Sequence, residues 1–195
     1  MSLRYAMLAI LRVGPLSGYD LQKQFSQSVG HVWHAPDSQI YPELRKMEAD
    51  GLVEAEEQTR GQRGTRRLYH VTEAGDRAFR EWMDSPLDYQ RVRDPAHLRA
   101  AYLETASPQA ARAFLDAHIV QWEGELAQWE AEIRKIDRVD APNPMLERRL
   151  EMSPEEEHER IVAFKHFAYE GLVDRARGEI AWARRGLDLL DRLDA

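Results

Sequence analysis

Residues 37–53 read Asp37-Ser38-Gln39-Ile40-Tyr41-Pro42-Glu43-Leu44-Arg45-Lys46-Met47-Glu48-Ala49-Asp50-Gly51-Leu52-Val53. Ile40, Leu44 and Met47 stand four and three residues apart, the spacing that puts side chains on one face of an α-helix. Asp37 or Ser38 can cap its start by accepting a first-turn amide hydrogen bond, and Gly51 stops it. Pro42 is expected near enough to the start to be tolerated, because first-turn amides have few intrahelical acceptors to lose.

Working outward, Leu3, Ala6, Met7, Ile10 and Leu11 line one face of an earlier helix that Gly14-Pro15 must end. Ser17 followed by Asp20 resembles a capping box, and Leu21 and Phe25 then stack one turn apart on a second helix. On the other side, Leu52–Glu56 and Arg67–Thr72 read as short strands. They enclose Arg60-Gly61-Gln62-Arg63-Gly64-Thr65-Arg66-Arg67, four arginines in eight residues. Exposed guanidinium groups there can reach phosphates. Thr72 caps a fourth helix carrying Ala78, Phe79 and Trp82. The order helix, helix, helix, hairpin, helix predicts a winged helix-turn-helix over residues 1–85, with the third helix in the major groove of DNA and the basic hairpin as its wing.

Four segments carry a resemblance to a known family. They are Leu8-Ala9-Ile10-Leu11 ahead of Gly18-Tyr19-Asp20-Leu21, then Ser38 to Leu44 with its internal Tyr-Pro, Met47-Glu48-Ala49-Asp50-Gly51-Leu52-Val53, and Tyr69-His70-Val71-Thr72-Glu73-Ala74-Gly75. Over about the first 85 residues the chain resembles the PadR-type transcriptional regulators. Gln39-Ile40 departs from the pattern, which more often has glycine and a small or apolar residue before Tyr-Pro. That departure bears on base preference, not on the fold.

The chain has 195 residues, 43% apolar and 31% charged, a composition that folds and is richer in helix formers than in disorder-promoting residues. No apolar run approaches the roughly 20 residues of a membrane span, and Met1-Ser2-Leu3-Arg4 leads into a patterned segment rather than a signal peptide. A cytoplasmic protein with no membrane partner is expected. Zero cysteines exclude disulfides, thiolate metal sites and cysteine nucleophiles. The net charge of -7 speaks against nucleic acid until its distribution is read. Residues 1–80 hold 11 basic and 10 acidic side chains, so the acidity lies in the rest of the chain. DNA contact must then rely on a local basic cluster.

In residues 86–195, Asp94-Pro95, Ser107-Pro108 and Ser153-Pro154 each read as a helix start, with a capping oxygen before a proline whose missing amide costs nothing. Leu115, Ile119, Trp122, Leu126, Trp129, Ile133 and Ile136 alternate steps of four and three, a heptad seam that needs a partner. Asp140-Ala141-Pro142-Asn143-Pro144 breaks that helix. A long helix after Ser153 carries Phe164, Phe167, Leu172, Ala176, Ile180, Leu187 and Leu190. The two helices can close on each other within one chain. Pairing with a second copy covers more of each stripe, and is the expectation adopted, with Leu115, Ile119, Trp122, Leu126, Ile133, Leu172 and Leu187 at the dimer interface. The resemblance implies the same. The expected fold class is therefore mostly α, a winged helix-turn-helix followed by a long-helix dimerisation region.

For DNA contact the candidates are Tyr19, Ser38, Gln39, Tyr41, Pro42, Arg45 and Lys46 around the third helix, with Arg63, Thr65 and Arg66 on the wing. Tyr41 can equally pack between helices. Trp122 and Trp129 read first as core residues, yet a slot beside them between paired helices could take a flat, largely apolar effector, which the resemblance to regulators also implies. His31 with His34, and Glu157-His158 near Glu155, supply too few converging ligands for zinc, and no cofactor is expected. Gly61 and Gly64 lack the spacing of a phosphate loop, and no nucleophile triad is recognisable. Two other readings remain open: a winged helix that binds protein instead of DNA, against which the wing arginines argue, and an enzyme with a helical-bundle pocket.

Overall fold

The computed structural model describes residues 3–27, 36–59, 65–87, 89, 93–138 and 143–193. It divides into two compact units, Met1–Tyr89 and Gln90–Ala195. In the first, α1 (Leu3–Leu11) buries Met7, Leu8, Ile10 and Leu11. Gly14, at a φ of 133°, turns the chain into β1 (Leu16–Ser17), a two-residue strand that periodicity could not reveal. Then come α2 (Gly18–Gln27), burying Leu21 and Phe25, and α3 (Asp37–Ala49), burying Ile40, Leu44 and Met47.

Two details of α3 differ from expectation. Neither Asp37 nor Ser38 stands at the cap position: Pro36 occupies it in an extended conformation, and both residues already lie inside the helix. Pro42 is in the second turn, not the first. Its missing amide leaves the Ser38 carbonyl without a helical donor, which is tolerable because Ser38 and Pro42 are both exposed and water can replace the bond.

The sheet runs β1-β3-β2, all antiparallel, with β2 at Val53–Thr59 and β3 at Thr65–Val71. Val53 faces Val71, Thr59 faces Thr65, and Leu16 faces Tyr69. Both hairpin strands extend further toward the turn than expected, so Thr65 and Arg66 are strand residues. Helix α4 (Glu73–Asp84) returns across α1, where Trp82 stacks on Tyr5 at 4.9 Å and Arg12 lies 4.7 Å over the Phe79 ring.

One junction ties these elements together. Gly51, at a φ of 70°, ends α3 with Leu52 N donating to Met47 O at 2.9 Å and Gly51 N donating to Glu48 O at 3.0 Å. This pair of bonds is a Schellman motif, which favours glycine at the left-handed residue. Thr72 N then donates to Leu52 O at 3.1 Å, and the Thr72 hydroxyl donates to Gly51 O at 2.6 Å while accepting from Gly75 N at 3.1 Å. Gly75 lies so close that a Cβ would sit 2.0 Å from Leu52 O.

The second unit is helical. α5 (Pro95–Ala100) is capped by Asp94, which accepts from His97 N at 3.0 Å, and a 3-10 turn follows at Leu103–Thr105. Ser107 caps α6 (Pro108–Ile136), Asn143 caps α7 (Pro144–Glu151), and α8 spans Glu155–Leu193. Helix α7 is an element that the proline cluster before it concealed, and α8 begins at Glu155, two residues after the expected capping serine. Helices α6 and α8 lie antiparallel, because Arg112 pairs with Asp191 at one end, Glu123 with Arg184 and Glu130 with Arg177 at 2.9 Å each, and Asp137 with His166 at 3.5 Å.

The heptad seam of α6 is thus closed by the chain's own α8. Leu115, expected at a dimer interface, is only 2% exposed and fits against Gly186, where a Cβ would be 3.0 Å from its methyl. Trp129, Ile136, Tyr169, Val173 and Ala176 form the core, with Trp122, Leu126, Ile133 and Leu172 half-buried against it. Phe164 and Phe167, read as part of the apolar stripe, are instead 62% and 69% exposed, since the buried line of α8 runs through Ile161, Tyr169, Val173 and Ala176. Among the described residues no helix is long and apolar enough to cross a membrane.

Gly75→Ala is expected to force the Leu52 carbonyl away and cost about 3 kcal/mol, the upper range for overpacking, measured as a lower chemical-denaturation midpoint. In the second unit, burial favours the neutral phenol of Tyr169 and the Glu132 carboxylate repels the phenolate, which pushes its pKa up to about 12. An unfolded tyrosine ionises near pH 10, so the folded chain holds this proton longer as pH rises. The contribution of Tyr169 to stability is intact below about pH 10 and is lost as pH climbs toward 12. A phenolate absorbance titration should show a late component that Tyr169→Phe removes.

Candidate nucleic-acid interface

The outward side of α3 carries Ser38, Gln39, Tyr41, Pro42, Arg45 and Lys46, all exposed, while its apolar residues face the core. Two of its acidic residues and its C-cap Asp50 are paired from other elements. Arg4 on α1 reaches Glu43 at 3.0 Å and Asp50 at 3.1 Å, and Arg67 on β3 reaches Glu48 at 2.5 Å. Arg45 and Lys46 have no ion-pair partner among the described residues. Arg45 and Lys46 are therefore two exposed cations on a chain whose formal charge is -7.

The start of α2 is built as the capping pattern implied. Ser17 Oγ accepts from Asp20 N at 3.1 Å and donates to Asp20 Oδ2 at 2.8 Å. Arg66 on β3 also bonds Asp20 Oδ2. This redirects Arg66, which was expected to be a free phosphate ligand: its guanidinium ties the hairpin to α2, and its Nε is buried with no partner among the described residues. A separation of 46 residues leaves no local sequence signal for that pair. Tyr19 projects from α2 and is 69% exposed. Tyr41 takes an intermediate position: its ring packs where a Cβ on Gly18 would lie, 2.7 Å from Cε1, yet the residue stays 41% exposed. Thr65 is exposed at the base of the wing, whereas Arg63, with the rest of 60–64, lies outside the described residues.

Residues 7–81 match the model of the transcriptional regulator PadR-like family. That match covers most of the first unit. The negative transcriptional regulator PadR of Bacillus subtilis is 29% identical over 136 residues, covering 69% of this chain and 74% of that protein. A crystal structure of B. subtilis PadR in complex with operator DNA has a TM-score of 0.73 at 24% identity, covering 96% of this chain and 98% of that one. The same protein in complex with p-coumaric acid gives 0.69 at 24% identity, covering 97% and 98%. These two likenesses establish a shared fold. The relatives that the chain resembles are regulators, and an enzyme is not the reading that they support.

In the second unit, Trp122 and Trp129 meet edge to face at 6.3 Å inside the α6–α8 seam. Trp129 is buried and its Nε1 has no hydrogen-bond partner among the described residues. His158 bonds Ser153 O at 3.0 Å, and no group of three or more metal-ligating side chains occurs among the described residues. His31 and His34 lie outside the described residues.

The Gly18–Tyr41 contact gives a sign-changing test. Gly18→Ala should destabilise the folded chain by about 1 to 2 kcal/mol, because the new methyl displaces an aromatic ring. In a Tyr41→Ala background the same substitution should stabilise it by about 0.5 to 1 kcal/mol, since alanine is the better helix residue and the obstacle is gone. Urea unfolding of the four proteins reads both signs.

Proposed function

We propose that the chain is a dimeric, cytoplasmic transcriptional repressor whose first unit reads a pseudopalindromic operator and whose second unit pairs two copies. The observation that carries this reading is the outward face of α3, where Glu43 and Glu48 are paired with Arg4 and Arg67 and Gln39, Arg45 and Lys46 stay open. In a winged helix this element enters the major groove, with phosphate contacts setting position and side chains reading base edges. Gln39 is suited to adenine, and Arg45 and Lys46 to phosphate or guanine. The B. subtilis relative is named a negative regulator, which supports repression, and its complex with operator DNA supports the DNA role.

Because the chain's own α8 covers Leu115, the second copy takes up what remains open. Val120 on α6 and Phe164 and Phe167 on α8 are exposed, with Ile119, Trp122, Leu126, Ile133, Leu172 and Leu187 half-buried. A symmetric four-helix arrangement covers that surface and sets the two reading helices roughly one DNA turn, about 34 Å, apart. A planar, largely apolar effector that favours one setting of the seam beside Trp122 or Trp129 releases the operator, and a relative's complex with p-coumaric acid supports ligand control.

Anisotropy titrations on operator and unrelated duplexes at several salt concentrations test the reading. Arg45→Ala and Lys46→Ala should weaken binding on every duplex and flatten the log–log salt slope by about 0.9 per lost contact. Gln39→Ala should instead cost about 1 to 3 kcal/mol on the preferred duplex and little on the others. Light scattering should give the mass of two chains. A monomer that binds no duplex would overturn the proposal.

A further inference from the structure

The second unit holds a cleft of about 550 Å³ between α5, the 3-10 turn and the first turns of α6. Leu98, Tyr102, Leu103, Ala110 and Phe114 make its walls, and Arg99 is the one charged side chain among its lining residues. This is notable in an acidic part of the chain, because no carboxylate enters the lining. The Arg99 guanidinium lies 5.5 Å over the Phe114 ring and has no ion-pair partner among the described residues. A guanidinium in cation–π range of a ring keeps its edge N–H groups available. A mostly apolar cleft with one unpaired bidentate donor is complementary to a molecule with an apolar body and a single anionic group.

We propose that this cleft binds an amphipathic monoanion, with a carboxylate or sulfonate on Arg99 and the apolar body between Leu98, Tyr102 and Phe114. The site is distinct from the tryptophan seam and its occupancy does not depend on the DNA-binding reading. The volume suits such a ligand, since small-molecule clefts run from about 300 to 1,000 Å³. Its walls come from α5 and α6 together, so an occupant bridges the short helix to the hairpin. On that side α5 is already held by His97, whose ring stacks 4.3 Å from that of Trp182 on α8.

Two fluorescent probes with the same ring system separate charge from apolar contact: anilinonaphthalenesulfonate, which is anionic, and phenylnaphthylamine, which is neutral. The full-length chain should bind the sulfonate saturably at one site per chain. Arg99→Ala should weaken that binding at least about tenfold, the loss of one charge-assisted contact, and leave phenylnaphthylamine unchanged. Arg99→Glu should abolish sulfonate binding, and Phe114→Ala should weaken both probes. Trp122→Ala should weaken neither. Arg99 is exposed, so its variants are expected to keep the wild-type melting curve, which circular dichroism checks. Sulfonate binding that is equal in wild type and Arg99→Ala, or that disappears only in Trp122→Ala, would overturn the proposal. Loss of DNA binding in the wild-type chain, with the probe results intact, would instead count against the proposed function alone.

Discussion

The first unit depends on the backbone knot between Gly51-Leu52 and Thr72. Three elements leave from it: α3 ends there, β2 begins there, and α4 starts on the Thr72 hydroxyl. Because the carbonyls of Gly51 and Leu52 are consumed by a single threonine, the direction of α3 relative to the sheet is set by hydrogen bonds rather than by side-chain packing alone. The absence of a Cβ at position 75 lets α4 approach closely enough to complete the arrangement. The angle of α3 to the hairpin is thereby fixed, because both are anchored at the same junction.

Electrostatics explains how an acidic protein can keep Arg45 and Lys46 open on α3. Had Glu43, Glu48 and Asp50 been left unpaired, they would surround Arg45 and Lys46 with negative charge. Arg4 and Arg67 are placed on other elements and turn inward to meet those acids. An exposed pair such as Arg67 with Glu48 contributes little stability, commonly below about 1 kcal/mol. The value of these pairs lies in the shape of the field that they leave.

Much of this was legible in the sequence because it was local. The Ile40, Leu44 and Met47 spacing, the Ser17–Asp20 cap, Gly51 and the Thr72 cap each need only a few consecutive residues. What escaped was nonlocal. The two-residue β1 exists only because β3 is there to pair with it, and Arg66 finds Asp20 across the fold. Periodicity in α6 announced that one face is covered, but could not say whether by the same chain or by another. In α8 apolar residues lie on more than one side, so Phe164 and Phe167 joined the stripe on paper while standing outside it in space.

The nesting of Leu115 against Gly186, together with the charge pairs along α6 and α8, restricts how the hairpin can move. Sliding one helix past the other by a turn, about 5.4 Å, would carry Leu115 off its hollow toward the bulk of Trp182 or Leu190 and bring Arg177 opposite Arg134 or Leu126. Slippage is therefore blocked sterically and electrically at the same time. The hairpin behaves as a toothed rack seated in its mate, and the motion left to it is tilting as a single stiff lever. A lever about 58 Å long, the length of the 39 residues of α8, turns a small angular change at one end into a displacement of several ångströms at the other.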